Sequence, residues 1–333
     1  MALVFGSINV DEFLAVPHIV RPGETISSTH ITKKAGGKGA NVAVALAKAS
    51  ARVLLAGQIG EDGEWVRALL NTYCVDTTHL LTTASVPSGR ATIQISQEGE
   101  NSIVLYGGSN QMAYGPPLPL SPATISHLLV QEEIVHADTT SAIVHAHNNK
   151  IKTVYNPSPL PPSHQLLEFP WHALSYLILN QGEAMDLYNS LVGQGQHAQH
   201  AHSHSQQSPQ HLLDALTTHP LTASIQGVII TLGSEGLVAR VKIDNTPHDY
   251  CLPSTKVNAI DTTGAGDTFA GYFVAACMSS SMSTHKSTHI ELVLKNAMAA
   301  AALAVTKPGA MDAIPILSQV RAHLLTNGIE CVL

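Results

Sequence analysis

The stretch AIDTTGAGDTFAG (259–271) decides how this chain is read. STKVNAI (254–260) leads in like a strand, and DTFAGYFVAACM (267–278) leads out with the spacing of a buried helix. A strand, a glycine turn and a helix opening on that turn are the unit of a parallel α/β sheet. The N–H groups of Gly264, Ala265 and Gly266 then fall at a helix N-terminus, where unpaired donors and the helix dipole attract an anion without a lysine. Residues this small let a phosphoryl group approach the backbone. Asp267 would lie beside that site. A carboxylate there cannot attract phosphate, but it can take the proton from a hydroxyl that attacks phosphate. A lone first-turn aspartate would be explained by the dipole alone. The small residues and Asp261-Thr262-Thr263 ahead of it make the catalytic base the stronger reading.

Outward from this stretch the pattern continues. ALVFG (2–6) and RVLLAGQIG (52–60) read as buried strands, and GKGANVAVALAKAS (37–50) and DGEWVRALLNTY (62–73) as helices. Strands are expected again within SHLLVQEE (126–133), IKTVYNPSP (151–159), LSYLILN (174–180), GVIITLG (227–233) and GLVARV (236–241), and a small-residue helix over 291–310 ended by Pro-Gly. Strand–helix alternation predicts an α/β fold of three layers, a mostly parallel central sheet between helices. Two segments break the rhythm. FLAVPHIVRPGETISSTHITKKA (13–35) is punctuated by Pro and Gly, and GRATIQISQEGENSIVLYGGSN (89–110) reads as a hairpin turning at QEGEN. Together they predict a small β-sheet lid inserted at about 12–35 and 89–108 in a single domain covering 1–333. GQGQHAQHAHSHSQQSPQH (193–211) is low complexity. Its alternating histidines could chelate a metal, but a disordered surface insertion is the favoured reading.

The chain has 333 residues, 44% hydrophobic and 12% charged, with a formal charge of −7 and no long basic run. This is a globular composition, and it argues against nucleic acid or an anionic membrane as partner. Its four cysteines form no C-x-x-C pair, and MALVFGSINVDEF (1–13) starts directly as a strand, without a basic or long apolar leader. The expected compartment is the cytoplasm, with the nucleus open.

Familiar phosphate loops are excluded. AGGKGAN (35–41) has Thr32 where a Walker A loop needs its first glycine, and Gly39 where it needs Ser or Thr. FGSINVDEF (5–13) lacks the dinucleotide fingerprint G-x-G-x-x-G. In GSINVD, however, Asn9 and Asp11 share a side of an extended chain and suit hydrogen bonds to a diol. GGKGAN supplies close backbone approach, then Lys38 and Asn41 at a helix start. In NQGE (180–183), Asn180 and Glu183 could hold a hydrated Mg²⁺, although an ordinary capping box explains them equally well. ITLGSEG (230–236) suits close approach of a nucleotide, or a plain hairpin turn.

With GSINVD, GGKGAN, the hairpin, NxxE, TLGSxG and DTxGAGD in this order over nearly the full length, the chain resembles the ribokinase, or PfkB, family of carbohydrate kinases. The resemblance implies ATP-dependent phosphorylation of D-ribose at O5, with Asp267 as base and Gly264, Ala265 and Gly266 as the anion hole. It implies sugar contacts from Asn9, Asp11, Gly37, Lys38, Asn41 and Glu133, the adjacent Glu132 being the alternative to the last. It implies nucleotide contacts from Asn180, Thr231, Gly233, Gly236, Gly266 and Asn296, and Mg²⁺ held through water by Glu183. It also implies K⁺ near Asp261, Thr263 and Gly309, and a homodimer joined through the lid. The chain departs from the pattern at Ala313, where many members carry a cation-site serine, and at Leu179, which replaces a proline. Three other functions compete. A same-fold kinase of another sugar or a nucleoside is disfavoured by Lys38 and Asn9/Asp11, a non-catalytic sugar-binding relative by the intact Asp267, and a metal-binding protein by the absence of Cys or carboxylate in the His tract.

Overall fold

The computed structural model describes residues 1–192, 207–279 and 286–333. In chain order it begins with strands β1 (Ala2–Phe5), β2 (Asn9–Val16) and β3 (His30–Gly36), helix α1 (Lys38–Lys48), strand β4 (Val53–Gly60), helix α2 (Glu64–Thr72) and strands β5 (Asp76–Thr83), β6 (Gly89–Ser96) and β7 (Asn101–Tyr106). There follow β8 (His127–Val130), α3 (His136–Asn148), β9 (Lys152–Tyr155), α4 (Ser163–Glu168), β10 (Tyr176–Asn180) and α5 (Gln181–Val192). The remainder is α6 (Pro209–Thr218), β11 (Gly227–Thr231), β12 (Leu237–Ile243), β13 (Thr246–Leu252), α7 (Ala265–Ser279), α8 (Lys286–Ala304) and α9 (Leu317–Thr326).

Among the described residues, nine strands form the central sheet in the order β13-β12-β11-β10-β9-β8-β1-β4-β5. All pairs from β11 to β5 are parallel, while β12 and β13 add an antiparallel edge. Alternation along β1 shows the layering. Ala2 and Val4 join a core with α1, α2, α7, α8 and α9, while Leu3 and Phe5 join one with α3, α4, α5 and α6. Both faces are covered, so β1 and β4 are buried at every position. From β1 the sheet grows one way through β4 and β5 and the other way through β8 to β11. The crevice beyond the carboxyl ends of β1 and β8 is therefore the topological switch point where such sheets bind ligands.

A second sheet, β3-β2-β6-β7, forms the lid. It starts at Asn9 rather than near residue 12, and reaches Gly36. The alternation of NVDEFLAV starts directly after Ile8, so β1 and β2 are separate strands in separate sheets. Register places Asn9, Asp11 and Phe13 opposite Gly36, Lys34 and Thr32 on β3, and opposite Gly89, Ala91 and Ile93 on β6. One face of the lid thus carries the sugar-type polar groups.

Three further expectations need correction. STKVNAI is not a strand. The sheet ends at β13, and the chain over 253–264 crosses back as a loop whose Ile260 and Asp261 amides donate to the Val305 carbonyl. Helix α8 stops at Ala304, several residues before Pro308-Gly309, where the Thr306 hydroxyl bonds the Leu303 carbonyl. The proposed insertion ends too late: Ser208 accepts a bond from the His211 amide and Pro209 takes the first helical position, so 208–211 begin α6. Residues 193–206 of that segment lie outside the described residues. No helix among the described residues is long and apolar enough to cross a membrane.

Candidate active site

The site is built where two helices start. Gly37 has φ 89°, and a β-carbon there would lie 2.7 Å from the Ser7 carbonyl oxygen. Only glycine makes this turn, which delivers the chain from lid strand β3 straight into α1. Lys38 and Asn41 follow on the first turn of α1. Asp267 occupies the first turn of α7, 5% exposed. Asn41 Nδ2 donates to Asp267 Oδ2 at 2.9 Å, and Lys38 Nζ lies 4.0 Å from Oδ1. One turn on, α1 and α7 touch through small residues: a β-carbon on Gly271 would stand 2.5 Å from Ala45 Cβ. Asp267/Gly271 and Asn41/Ala45 are each four apart, so one contact carries the helices and the other the chemistry.

Electrostatics follow from this packing. Burial pushes the Asp267 carboxyl pKa up, and Glu133 and Glu183 add to the rise against the pull of Lys38 and Asn41. Burial opposes the charge on Lys38, but Asp267, Glu133 and Glu183 outweigh it, and its pKa is raised. Burial pushes the Asp11 carboxyl up to about 7, with Glu133 contributing. Asp11 Oδ1 and Asn41 Oδ1 are buried without a hydrogen-bond partner among the described residues. Such acceptors are costly unless a ligand hydroxyl supplies the donor. Gly36 makes the Asp11 position feasible, because a β-carbon there would overlap the carboxylate.

Glu133, after β8, accepts from the Ser7 hydroxyl and from the Lys38 amide (3.1 Å). It ties the ends of β1 and β8 to the start of α1. Glu132 points elsewhere, accepting from the Tyr155 hydroxyl at 2.6 Å and pairing with His136. Asn9 Oδ1 accepts from Asn110 Nδ2 at 2.7 Å, and Asn110 also bonds both backbone groups of Ile8. Ser7 lies inside GSINVD without a role assigned to it there, and Asn110 lies outside the motifs. The polar pair in GGSN closing the hairpin was the available sign for Asn110.

At the far end of the crevice, Asn180 and Thr231 sit side by side at the ends of β10 and β11. Asn180 and Glu183 form reciprocal bonds of 2.8 and 2.9 Å, a capping box on α5. Glu183 nevertheless contributes to the field at both Asp267 and Lys38. Gly233 has open space above it, whereas a β-carbon on Gly236 would meet the backbone of Leu252–Ser254, so its smallness makes room for the chain leaving β13. Gly264 has φ 75°, with a β-carbon position 3.0 Å from Ala310 Cβ. The Ala265 amide, one of three expected anion donors, reaches the Thr262 carbonyl at a long 3.3 Å. Asp261 Oδ1 accepts from the Thr263 amide (2.9 Å) and hydroxyl (2.6 Å), and Oδ2 accepts from the Gly309 amide (2.8 Å). Asn296 is not brought to the site. It is fully buried, and its amide bonds the Leu292 and Glu330 carbonyls and the Val332 amide, pinning the C-terminal tail.

A family model for pfkB family carbohydrate kinases matches residues 1–317. A ribokinase of Cryptococcus neoformans solved with ADP superposes with a TM-score of 0.83 at 40% identity, covering 97% of this chain and 99% of that one. A ribokinase of Arabidopsis thaliana complexed with ribose and ATP gives 0.78 at 25% identity, covering 97% and 98%. A Haemophilus influenzae ribokinase is 34% identical over 94% of both chains. With the GAGD helix start, the GGKGAN turn and the lid sheet all in place, the chain belongs to the pfkB family of carbohydrate kinases.

Proposed function

We propose that this chain is an ATP-dependent D-ribose kinase that transfers the γ-phosphoryl group to O5. The observation that carries the reading is buried Asp267 and Asn41 with half-buried Lys38, beside two unpaired acceptors, Asp11 Oδ1 and Asn41 Oδ1. A ligand rich in hydroxyls satisfies those acceptors, while a phosphorylated one would meet three carboxylates. Asn9, Asp11 and Asn41 hold the sugar, and Glu133 fixes the α1 start beneath it. Asp267, its pKa raised toward the working range of a base, takes the O5 proton. The O5–P bond forms as the bond from the γ-phosphorus to the bridging oxygen breaks, and ADP leaves with that electron pair. The amides of Gly264, Ala265 and Gly266 stabilise the transferring group. Closure of the lid excludes water, the competing acceptor.

Asn180, Thr231 and Gly233 line the nucleotide end in this reading. Glu183 fits a hydrated Mg²⁺, since its charge is felt at the reacting end; such an ion, when bound, neutralises phosphate charge. Asp261 suits a monovalent cation such as K⁺. Burial opposes its charge, but bonds from Thr263 and Gly309 and the charge of Lys34 hold its pKa down. The lid supports a homodimer, because edge strand β7 exposes Ile103, Val104, Leu105 and Tyr106 in succession.

The test is ADP release with ribose, 2-deoxyribose, fructose and adenosine. Ribose should give the highest kcat/KM. Asp267→Asn should bind ATP normally and lose about 10²–10⁴ in turnover. Preference for adenosine, or near-normal turnover by the variant, would overturn the assignment.

A further inference from the structure

The face of the lid that carries Asp11 also carries a cation that touches neither sugar nor nucleotide in the mechanism above. Lys34 on β3 stands directly across from Asp11, on the side of the sheet that faces the site. Its half-buried side chain passes the Phe13 ring, with Nζ 5.6 Å from the centroid. Nζ ends 3.3 Å from where a β-carbon on Gly309 would lie. Gly309 donates its amide to Asp261 Oδ2, and Asp261 in turn holds Thr263, the residue before the GAG turn. A lid residue therefore delivers positive charge to the loop pair that shapes the start of α7. Its strand neighbour Lys33 is engaged differently, pairing with Glu12 at 3.0 Å on the other face.

We propose that Lys34 is a positioning residue whose ammonium acts as a tethered cation for the Asp261–Gly309 loop pair, doing part of the work otherwise left to a free monovalent ion. The proposal rests on the kinase reading above. Its physical basis is that Asp261 is a carboxylate bonded to neutral donors, the Thr263 amide and hydroxyl and the Gly309 amide, beside a helix terminus that must receive an anion. A positive charge near Asp261 keeps that carboxylate from repelling the phosphates, and a lysine held on the lid arrives only with the lid in place. The tethered ammonium lowers the need for a free monovalent ion.

The decisive comparison is between the wild type, Lys34→Met and Lys34→Arg, across a KCl series balanced with choline chloride at constant ionic strength. With ribose and MgATP, the wild type should keep more than about half its maximal rate without K⁺. K34M should fall about tenfold without K⁺ and recover to within about twofold at saturating KCl, while K34R follows the wild type. A second readout does not depend on turnover: KCl relative to choline chloride should raise the melting temperature of K34M more than that of the wild type. Equal K⁺ dependence of wild type and K34M in both readouts would overturn the proposal, as would failure of K⁺ to rescue K34M. If the wild type releases no ADP with ribose, the kinase reading fails on its own, and the melting comparison still decides the role of Lys34.

Discussion

Replacing Asp11 by Asn should stabilise the ligand-free protein while weakening its hold on sugar. Burial beside Glu133 lifts the Asp11 pKa from an ordinary 3.8 to about 7. A raised carboxyl pKa favours the fold only while the group is protonated. Folding therefore loses nothing to this group below about pH 4, loses stability progressively as pH rises from there to about 7, and pays a constant penalty above. A rise of roughly three pH units at 1.36 kcal/mol each gives a ceiling of about 4 kcal/mol. Partial solvent access to the side chain reduces this to about 1–3 kcal/mol. Asn carries no charge and removes the penalty, so the gain in stability should be near zero around pH 4 and grow to its full size by pH 8. Urea unfolding of both proteins from pH 4 to 8 measures it, and ribose titration should show affinity down about tenfold or more. A gain that is independent of pH, or no gain at pH 8, would show that Asp11 carries no buried-charge penalty.

Three other substitutions probe separate links. Gly271→Val forces a side chain against Ala45, so the unfolding free energy should fall by about 1–3 kcal/mol and kcat should fall with it as α1 and α7 separate. Preserved kcat with lowered stability would uncouple the packing from the chemistry. Asn110→Ala frees Asn9 and leaves the Ile8 amide unpaired; the ribose KM should rise about tenfold with the ATP KM unchanged, as read by initial rates. On the lid, 64% of Val104 and 67% of Leu105 are exposed, and a Val104→Lys/Leu105→Glu pair should convert a dimer to a monomer in light scattering. A wild type that is already monomeric at micromolar concentration would remove the dimer proposal.

Much of the site could be read in the chain because helix starts have a local signature. Lys38, Asn41 and Asp267 each sit within a turn of a glycine, and that placement needs no tertiary information. That Asn9 and Asp11 share one side of an extended chain was legible, but not that they lie on a lid strand, because nothing local distinguishes a loop after β1 from a strand that changes sheets. The role of Asn110 could not be read locally beyond its place in GGSN, since its bonds to Ile8 and Asn9 cross about a hundred residues. Asn296 and Gly236 show where a local reading stops. Sequence position suggested a nucleotide contact, yet an amide can face a ligand or the C-terminal tail, and a glycine can clear room for phosphate or for a neighbouring strand. Only packing decides between them. STKVNAI failed as a strand for a similar reason: its composition suits one, but it crosses back beyond the β13 edge with no strand beside it.

The bond between Asn41 and Asp267 joins residues 226 positions apart. During synthesis the chain makes the lid strands and the start of α1 long before α7 emerges. Under the proposed mechanism, an unfinished chain has the groups to grip a sugar but no group to activate it, and no helix end to receive the phosphate. Competence arrives in a single late step, when α7 docks on α1. For the proposed kinase, the order of residues along the chain would thus act as a safeguard, with no ATP consumed by nascent protein until α7 has docked.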